Sequence, residues 1–303
     1  MLIHDDKIQL AELTQEFTLP NFAARLPSIL TAAQATPVKS VDLAALHRNL
    51  LAPFQNGCVA PERADRLLAK VAAPQSAEAA IATQMLTYGY CSHYATGDGP
   101  CYLSIEDDSS HFQRYTLVAS YPTGTTPLLL GTLQMVIGST VPALEIFIPE
   151  PGRPLPHRMA CDSPAANAPV GELRRFSVNP LLEAGVPPDD PLKTILRDYR
   201  SLIYRKLYEL SLHLFAALEV RFVYGIATPE IYRFFTRSGM TMHPLAGMCL
   251  AETEEVRRIQ RSHGLYWRPH APLAQQPALY QIHLPTAPPI IGSNLKVEKG
   301  LTR

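Results

Sequence analysis

The sequence has no apolar run approaching the roughly 18 residues of a membrane-spanning helix. The longest candidate, around Pro127 to Ile137, is interrupted by Gly131, Thr132 and Gln134. Its first residues, MLIHDDKIQL, place acids where a signal peptide carries cations, with no apolar stretch behind them. These absences point to a cytoplasmic protein without a transmembrane segment, with peripheral contact to a membrane left open. Net charge is absent too: 27 basic and 27 acidic side chains cancel, so no global field draws the chain to nucleic acid. The five cysteines (Cys58, Cys91, Cys101, Cys161, Cys249) are odd in number and lack CxxC or metal-like spacing, which reads as buried thiols. The ten histidines form no HExxH pattern, so no metal is expected, and His111, His243 and His270 read as structural. With no GxSxG elbow and no Walker loop, neither a serine hydrolase nor an NTPase is supported.

What is present is a chain of 303 residues, 47% apolar. That is enough for one large or two modest cores, and it excludes disorder throughout. The 28 prolines cluster at 149–169, 187–191 and 269–289. Proline locks φ and lacks a donor, so the first cluster reads as a long loop. Residues 1–76 read as a helical, Ala/Leu-rich N-terminal extension. The stretch AEAAIATQMLTYGYCSHY (77–94) spaces Ile81, Met85 and Tyr88 helically. From 111 the pattern becomes extended: HFQRYTLVASY, a PTGTTP turn and PLLLGTLQMVIGS predict a hairpin, with ALEIFIP and GELRRFSV as further strands. A long amphipathic helix is predicted over 190–219, with Leu196, Tyr199, Ile203, Leu207, Leu210 and Phe215 at 3/4 spacing. RFVYGIA reads as a buried strand, and TPEIYRFFTRSG as a helix with Thr228 as N-cap, Pro229 in its first turn and Gly239 past its end. MTMHPLAGMCLA reads as a last strand region and TEEVRRIQRSHG as a further helix. The order predicts an α/β fold in which an antiparallel hairpin feeds a mixed, mostly antiparallel central sheet flanked by helices. A domain over 77–250 is expected between the N-terminal extension and a C-terminal helix with a proline-rich tail, 251–303.

Three segments together resemble a family. The hairpin HFQRYTLVASYPTGTTPLLLGTLQMVIGS, the segment ALEIFIP and the strand Glu172-Leu173-Arg174-Arg175-Phe176-Ser177-Val178 look like the acyl-homoserine-lactone synthases and N-acyl amino acid synthases. These are a branch of the GNAT acyltransferase fold with a strand of the form E-x-x-R-F-x-V. YGIATPEIYRFFTRSGM resembles the fold's last strand and helix, and QMLTYGYCSHY its aromatic first helix. The resemblance covers about residues 80–250 and rests on the order of the segments rather than on any one motif.

The resemblance implies a GNAT-like fold and transfer of a fatty acyl group from a thioester to the amine of an amino acid or similar small molecule. Acyl carrier protein or coenzyme A would be the donor, with no tightly bound cofactor. It implies Glu172 as general base, Arg175 in a substrate-orienting role, and the backbone of Phe176, Ser177 and Val178 as the thioester site between two splayed strands. On an ideal strand Glu172 and Arg175 face opposite ways; a β-bulge would bring them together. Met135 and Phe147, with Leu133, Ile146 and Phe176, would wall the acyl chain, and Arg174 and Tyr232 the acceptor.

Three departures shape these expectations. The phosphate-binding loop common in GNAT proteins is replaced by NPLLEAGVPPDDPLKT, whose Asp189 and Asp190 repel phosphate and favour a carrier-protein donor. The position of the usual general-acid tyrosine holds Phe235, with Tyr232 nearby, and Arg174 replaces a small residue. Eight basic residues against four acidic ones between 193 and 237, among them Arg197, Arg200, Arg205 and Lys206, suggest a transient docking surface for an acidic carrier. Glu106, Asp107 and Asp108 stand where homoserine-lactone synthases hold their cationic substrate, and read here as an exposed acidic turn. Two alternatives stay open: an acyl-homoserine-lactone synthase, and a non-catalytic GNAT-like scaffold that binds a lipid or partner. An open tunnel ending at Glu172 would favour an enzyme, and a plugged one a scaffold.

Overall fold

An eight-stranded sheet in the order β1-β2-β3-β4-β6-β7-β10-β8 organises the computed structural model. The model describes residues 13–55, 65–93, 112–121, 128–155, 169–237, 239–254, 256–257, 260 and 276–284. Cys58, Cys101, Cys161, Glu106, Asp107, Asp108, His111, His270, the PTGTTP turn, most of the proline loop and much of the helix expected after 253 lie outside them.

The centre of the sheet is the expected hairpin, β3 (Phe112–Tyr121) against β4 (Leu128–Gly138), paired from Phe112↔Gly138 to Tyr121↔Leu128. All of β4 except its last residue is buried, which is why LLLGTLQMVIG lacks the alternation of a half-exposed strand. β6 (Val170–Val178) pairs antiparallel to β4, and β7 (Phe222–Ala227) runs parallel to β6. The mixed, mostly antiparallel sheet flanked by helices is the class expected from the sequence.

One face is covered by α5 (Pro191–Ala217), reading past the helices α1 (Phe22–Gln34), α2 (Val41–Gln55), α3 (Ala77–His93) and α4 (Pro142–Ile146). Asp190 caps α5 by accepting from Leu192 N at 2.8 Å, and Pro191 opens its first turn. Leu196, Tyr199, Ile203, Leu207, Leu210 and Phe215 form its buried stripe. Two glycines of the sheet admit this helix. A Cβ on Gly131 would stand 2.4 Å from Ile203 Cγ2, and one on Gly171 2.4 Å from the Phe215 ring. The opposite face packs α3 over Val118 and Leu129, and α4 over Val136, Val170 and Tyr224.

The ends of the chain differ from the sequence reading. The N-terminal segment holds α1 and α2 but also β1 (Thr14–Thr18) and β2 (Arg66–Val71), which pair with each other and, through β2, with β3. At the other end β10 (Ala278–Ile282), inside the proline-rich tail, lies between β7 and β8 (Met242–Pro244). Both ends therefore contribute strands to the sheet of the central region. ALEIFIP is also not one extended segment: Pro142 starts α4, and only β5 (Phe147–Pro149) is a strand, paired with β9 (Met248–Leu250).

Candidate active site

The site begins where two parallel strands part. Pairing of β6 with β7 covers Val170↔Phe222, Gly171↔Val223 and Glu172↔Tyr224, then stops, although β6 runs on to Val178 and β7 to Ala227. From Leu173 onward β6 and β7 no longer pair with each other. A cavity of about 400 Å³ opens there, between the diverging strands.

A bulge aims the side chains. Between Thr132↔Ser177 and Gln134↔Arg174, β6 uses one residue more than β4, and Arg175 sits at φ 53°, in the left-handed region. The extra residue shifts the alternation. Leu173 faces α5, and the next residues to do so are Phe176 and Val178 rather than Arg175. Ser177 turns to α3, where its Oγ donates to Met85 O at 2.9 Å and crowds Gly89. Arg175 Nη1 donates to Gln134 Oε1 at 3.4 Å.

One wall of the cavity is aromatic. Phe176 meets Tyr204 of α5 edge-on with ring centroids 4.7 Å apart, and Phe235 of α6 (Pro229–Arg237) stacks on the same tyrosine at 4.7 Å. Phe234 closes the group at 5.5 Å from Tyr204. The Tyr204 hydroxyl donates to Met240 Sδ at 3.7 Å, a weak acceptor, and burial raises its pKa well above the ordinary tyrosine value. Thr228 Oγ1 accepts from Ile231 N at 3.3 Å, the expected N-cap of α6.

Another part of the lining is charged. Glu183, in a 3₁₀ turn (Pro180–Glu183), accepts from His93 Nε2 at 3.0 Å and pairs with Arg200 Nη2 at 3.2 Å. Arg200 Nε is buried and has no hydrogen-bond partner among the described residues. Burial alone would raise the Glu183 carboxyl. The His93 hydrogen bond and the charges of Arg200, His93 and Lys193 outweigh it and hold the pKa below the usual value. A carboxylate lowered by folding stabilises the native state above its unfolded pKa, and the contribution is lost as pH falls through the lowered value. Glu183→Gln is therefore expected to melt below wild type at neutral pH, with the gap closing on acidification beneath the ordinary carboxylate range. Thermal melts across pH check this. Tyr88 of α3, also in the lining, bonds through its hydroxyl to His47 Nδ1 at 2.8 Å, and His47 Nε2 bonds to Ala33 O at 2.9 Å.

Of the residues singled out from the sequence, Leu133, Arg174, Arg175, Phe176, Ser177, Val178, Arg200 and Phe235 line this cavity. Glu172 does not line it. It is 2% exposed, on the α4 side of the sheet, where Oε2 accepts from Ala143 N at 2.8 Å and Oε1 lies 3.7 Å from Arg174 Nε. Glu172 lies away from the lining because residues two apart on a strand share a face, and it follows Val170 into the α4 core. Met135 is buried in the α5-side core, and Phe147 in the core around α4. Neither is on the cavity wall, and Tyr232 stacks on Tyr280 at 4.9 Å away from it. The four basic residues of α5 do not form one surface, since 100° per residue spreads them around the helix. Arg200 turns to Glu183, Lys206 binds Glu209 at 2.7 Å, and Arg197 and Arg205 are exposed elsewhere. Tyr88, His93, Glu183 and Tyr204 went unassigned in the sequence. The only signal was a lone acid inside the apolar run PLLEAGV and tyrosines on buried helical stripes.

Among the described residues no group of three or more His, Cys, Asp or Glu side chains could hold a metal. No described helix is long and apolar enough to cross a membrane.

The fold and site together define a mixed α/β protein with a ligand-sized cavity at a parted parallel strand pair. Neither a protein-family model nor a curated protein sequence matches the chain. Solved structures similar to it include TofI in a ternary complex with an inhibitor and MTA, at 12% identity and TM-score 0.35, covering 71% of this chain and 91% of that one. FeeM, an N-acyl amino acid synthase from uncultured soil microbes, matches at 12% identity and TM-score 0.35, covering 72% and 90%. BjaI, a CoA-dependent acyl-homoserine lactone synthase with SAM and isopentyl-CoA, matches at 11% identity and TM-score 0.30, covering 90% and 84%.

Proposed function

We propose that the chain is an N-acyltransferase that moves a fatty acyl group from a thioester, on acyl carrier protein or coenzyme A, to the amine of an amino acid or similar small molecule. The observation that carries this reading is the parting of β6 and β7 beyond Glu172↔Tyr224, with the cavity in the gap. A thioester carbonyl laid along the open edge of β6 would meet backbone N–H groups. Such donors are worth most against the oxyanion that develops as nitrogen attacks. The aromatic wall of Phe176, Tyr204, Phe234 and Phe235 suits an acyl chain, while Arg175 and the Arg200 Nε–H suit the carboxylate of an amino-acid acceptor. Arg174, held by Glu172, supports the same side. The cavity is open rather than plugged, which favours an enzyme over an idle scaffold, although it does not end at Glu172. A cytoplasmic setting, where acyl thioesters are made, fits this reading.

The test is incubation of purified protein with acyl-coenzyme A and acyl carrier protein thioesters of several chain lengths and a mixture of amino acids. Free thiol release and product mass are the readouts. The expected result is thiol released in step with an N-acyl product whose mass identifies both substrates. Absence of product from every donor, with folded protein, overturns the reading.

A further inference from the structure

The Tyr88–His47 pair is more than a buried hydrogen bond, because its proton positions are fixed. A carbonyl oxygen can only accept, so His47 Nε2, 2.9 Å from Ala33 O, carries the ring proton. In the neutral ring Nδ1 is then a bare lone pair, and the Tyr88 hydroxyl 2.8 Å away must donate to it. His47 is 5% exposed and Tyr88 6%. Tyr88 is also part of the cavity wall. With its proton committed to His47, the phenol oxygen keeps its lone pairs for a donor arriving from the cavity, and an amine attacking a carbonyl is such a donor.

We propose that Tyr88 and His47 form a proton relay that takes the proton from the acceptor amine during acyl transfer, Tyr88 touching the amine and His47 holding the proton. The proposal rests on the acyl-transfer reading above and puts a base on the cavity wall, which Glu172 does not line. As the neutral amine attacks the thioester carbon, the C–N bond forms and the C–S bond breaks. The surplus proton on nitrogen passes to Tyr88 Oη while the proton already on Tyr88 passes to His47 Nδ1. The departing thiolate takes a proton from solvent, and the imidazolium later returns its own through Tyr88. Burial, and then the negative charge of Glu183, push the Tyr88 pKa up to about 12, so the phenol loses one proton only as it gains another.

His47→Gln separates relay from structure. A glutamine can donate to Ala33 O and accept from Tyr88, yet it cannot take up a proton. Tyr88→Phe removes the phenol altogether. With decanoyl-coenzyme A or decanoyl carrier protein and a mixture of amino acids, both full-length variants are expected to keep their KM, His47→Gln melting near wild type and Tyr88→Phe lower because it leaves His47 Nδ1 without its donor. Their kcat should fall by about 10²-fold or more, the scale of acid–base catalysis. His47→Gln retaining kcat within about threefold of an active wild type overturns the relay and leaves acyl transfer standing. An inactive wild type overturns acyl transfer itself and the relay with it. Independently of turnover, ¹⁵N NMR of His47 should show a neutral ring protonated at Nε2. A proton on Nδ1 rules the relay out.

Discussion

Replacing Glu172 by alanine is expected to cost stability before it touches chemistry, by about 3–5 kcal/mol, the range for removing one partner of a buried ion pair. Two groups depend on this carboxylate. Ala143 N, in the first turn of α4, donates to Oε2 at 2.8 Å, and Arg174 Nε lies 3.7 Å from Oε1 with its side chain only 13% exposed. Alanine leaves the Ala143 amide without its acceptor and takes the nearby carboxylate away from the half-buried Arg174 guanidinium. Glu172→Gln should be milder, since an amide oxygen can still accept from Ala143 N and only the charge is lost. Pairing Glu172→Gln with Arg174→Met, an apolar chain of similar length, should recover part of the loss because the desolvated guanidinium is removed along with its carboxylate. Urea denaturation of the three variants checks the order: alanine worst, glutamine intermediate, double variant better than alanine. A Glu172→Ala protein as stable as wild type, with only its turnover abolished, would restore Glu172 to the reaction.

The case of Glu172 shows what could be read from the chain and what could not. Helix α5 was legible because its evidence is local: Asp190 as cap, Pro191 behind it, and an apolar stripe at 3/4 spacing. The β3–β4 hairpin and β6 were legible for the same reason. β1 and β2 were not. Five or six residues each, they sit in Ala/Leu-rich surroundings, and their strand character comes from pairing with residues far along the chain. β10 was hidden by composition, since the prolines flanking ALYQI outweighed a short alternating run.

The candidate site was legible along β6 and illegible across it. Arg174 to Val178 could be picked out as neighbours on one strand, and they do line the cavity. The bulge at Arg175 decides which of them face α5 and which face α3, and a bulge is fixed by the register of the partner strand rather than by its own residues. His93, Glu183 and Arg200 come from a helix end, a 3₁₀ turn and the middle of α5. Their proximity exists only after folding. His47 and Tyr88, 41 positions apart, belong to two packed helices, and neither spacing nor composition links them.

Tyr204 is where the fold and the cavity depend on the same side chain, and its two simplest replacements should behave in opposite ways. Tyr204→Ala is expected to destabilise by about 3–5 kcal/mol, the cost of deleting a buried aromatic ring. That is a large part of the roughly 5–15 kcal/mol of a typical native state. The ring is fully buried, stacks on Phe235 at 4.7 Å and 8°, and meets Phe176 edge-on at 4.7 Å. Collapse around the void is opposed on the sheet side by β4, whose Gly131 already lies against Ile203, the residue before Tyr204. Tyr204→Phe keeps every ring contact and removes only the donation to Met240 Sδ. A thioether is a weak acceptor, so the change in stability should stay within about 1 kcal/mol. Denaturant titration of the two variants separates packing from hydrogen bonding at this position. If the aromatic wall holds the acyl chain, the opened void in Tyr204→Ala should also shift the preferred donor toward longer chains, whereas Tyr204→Phe should leave chain-length preference where wild type has it. A chain-length profile unchanged in Tyr204→Ala, measured well below its melting temperature, would move the acyl site off this wall.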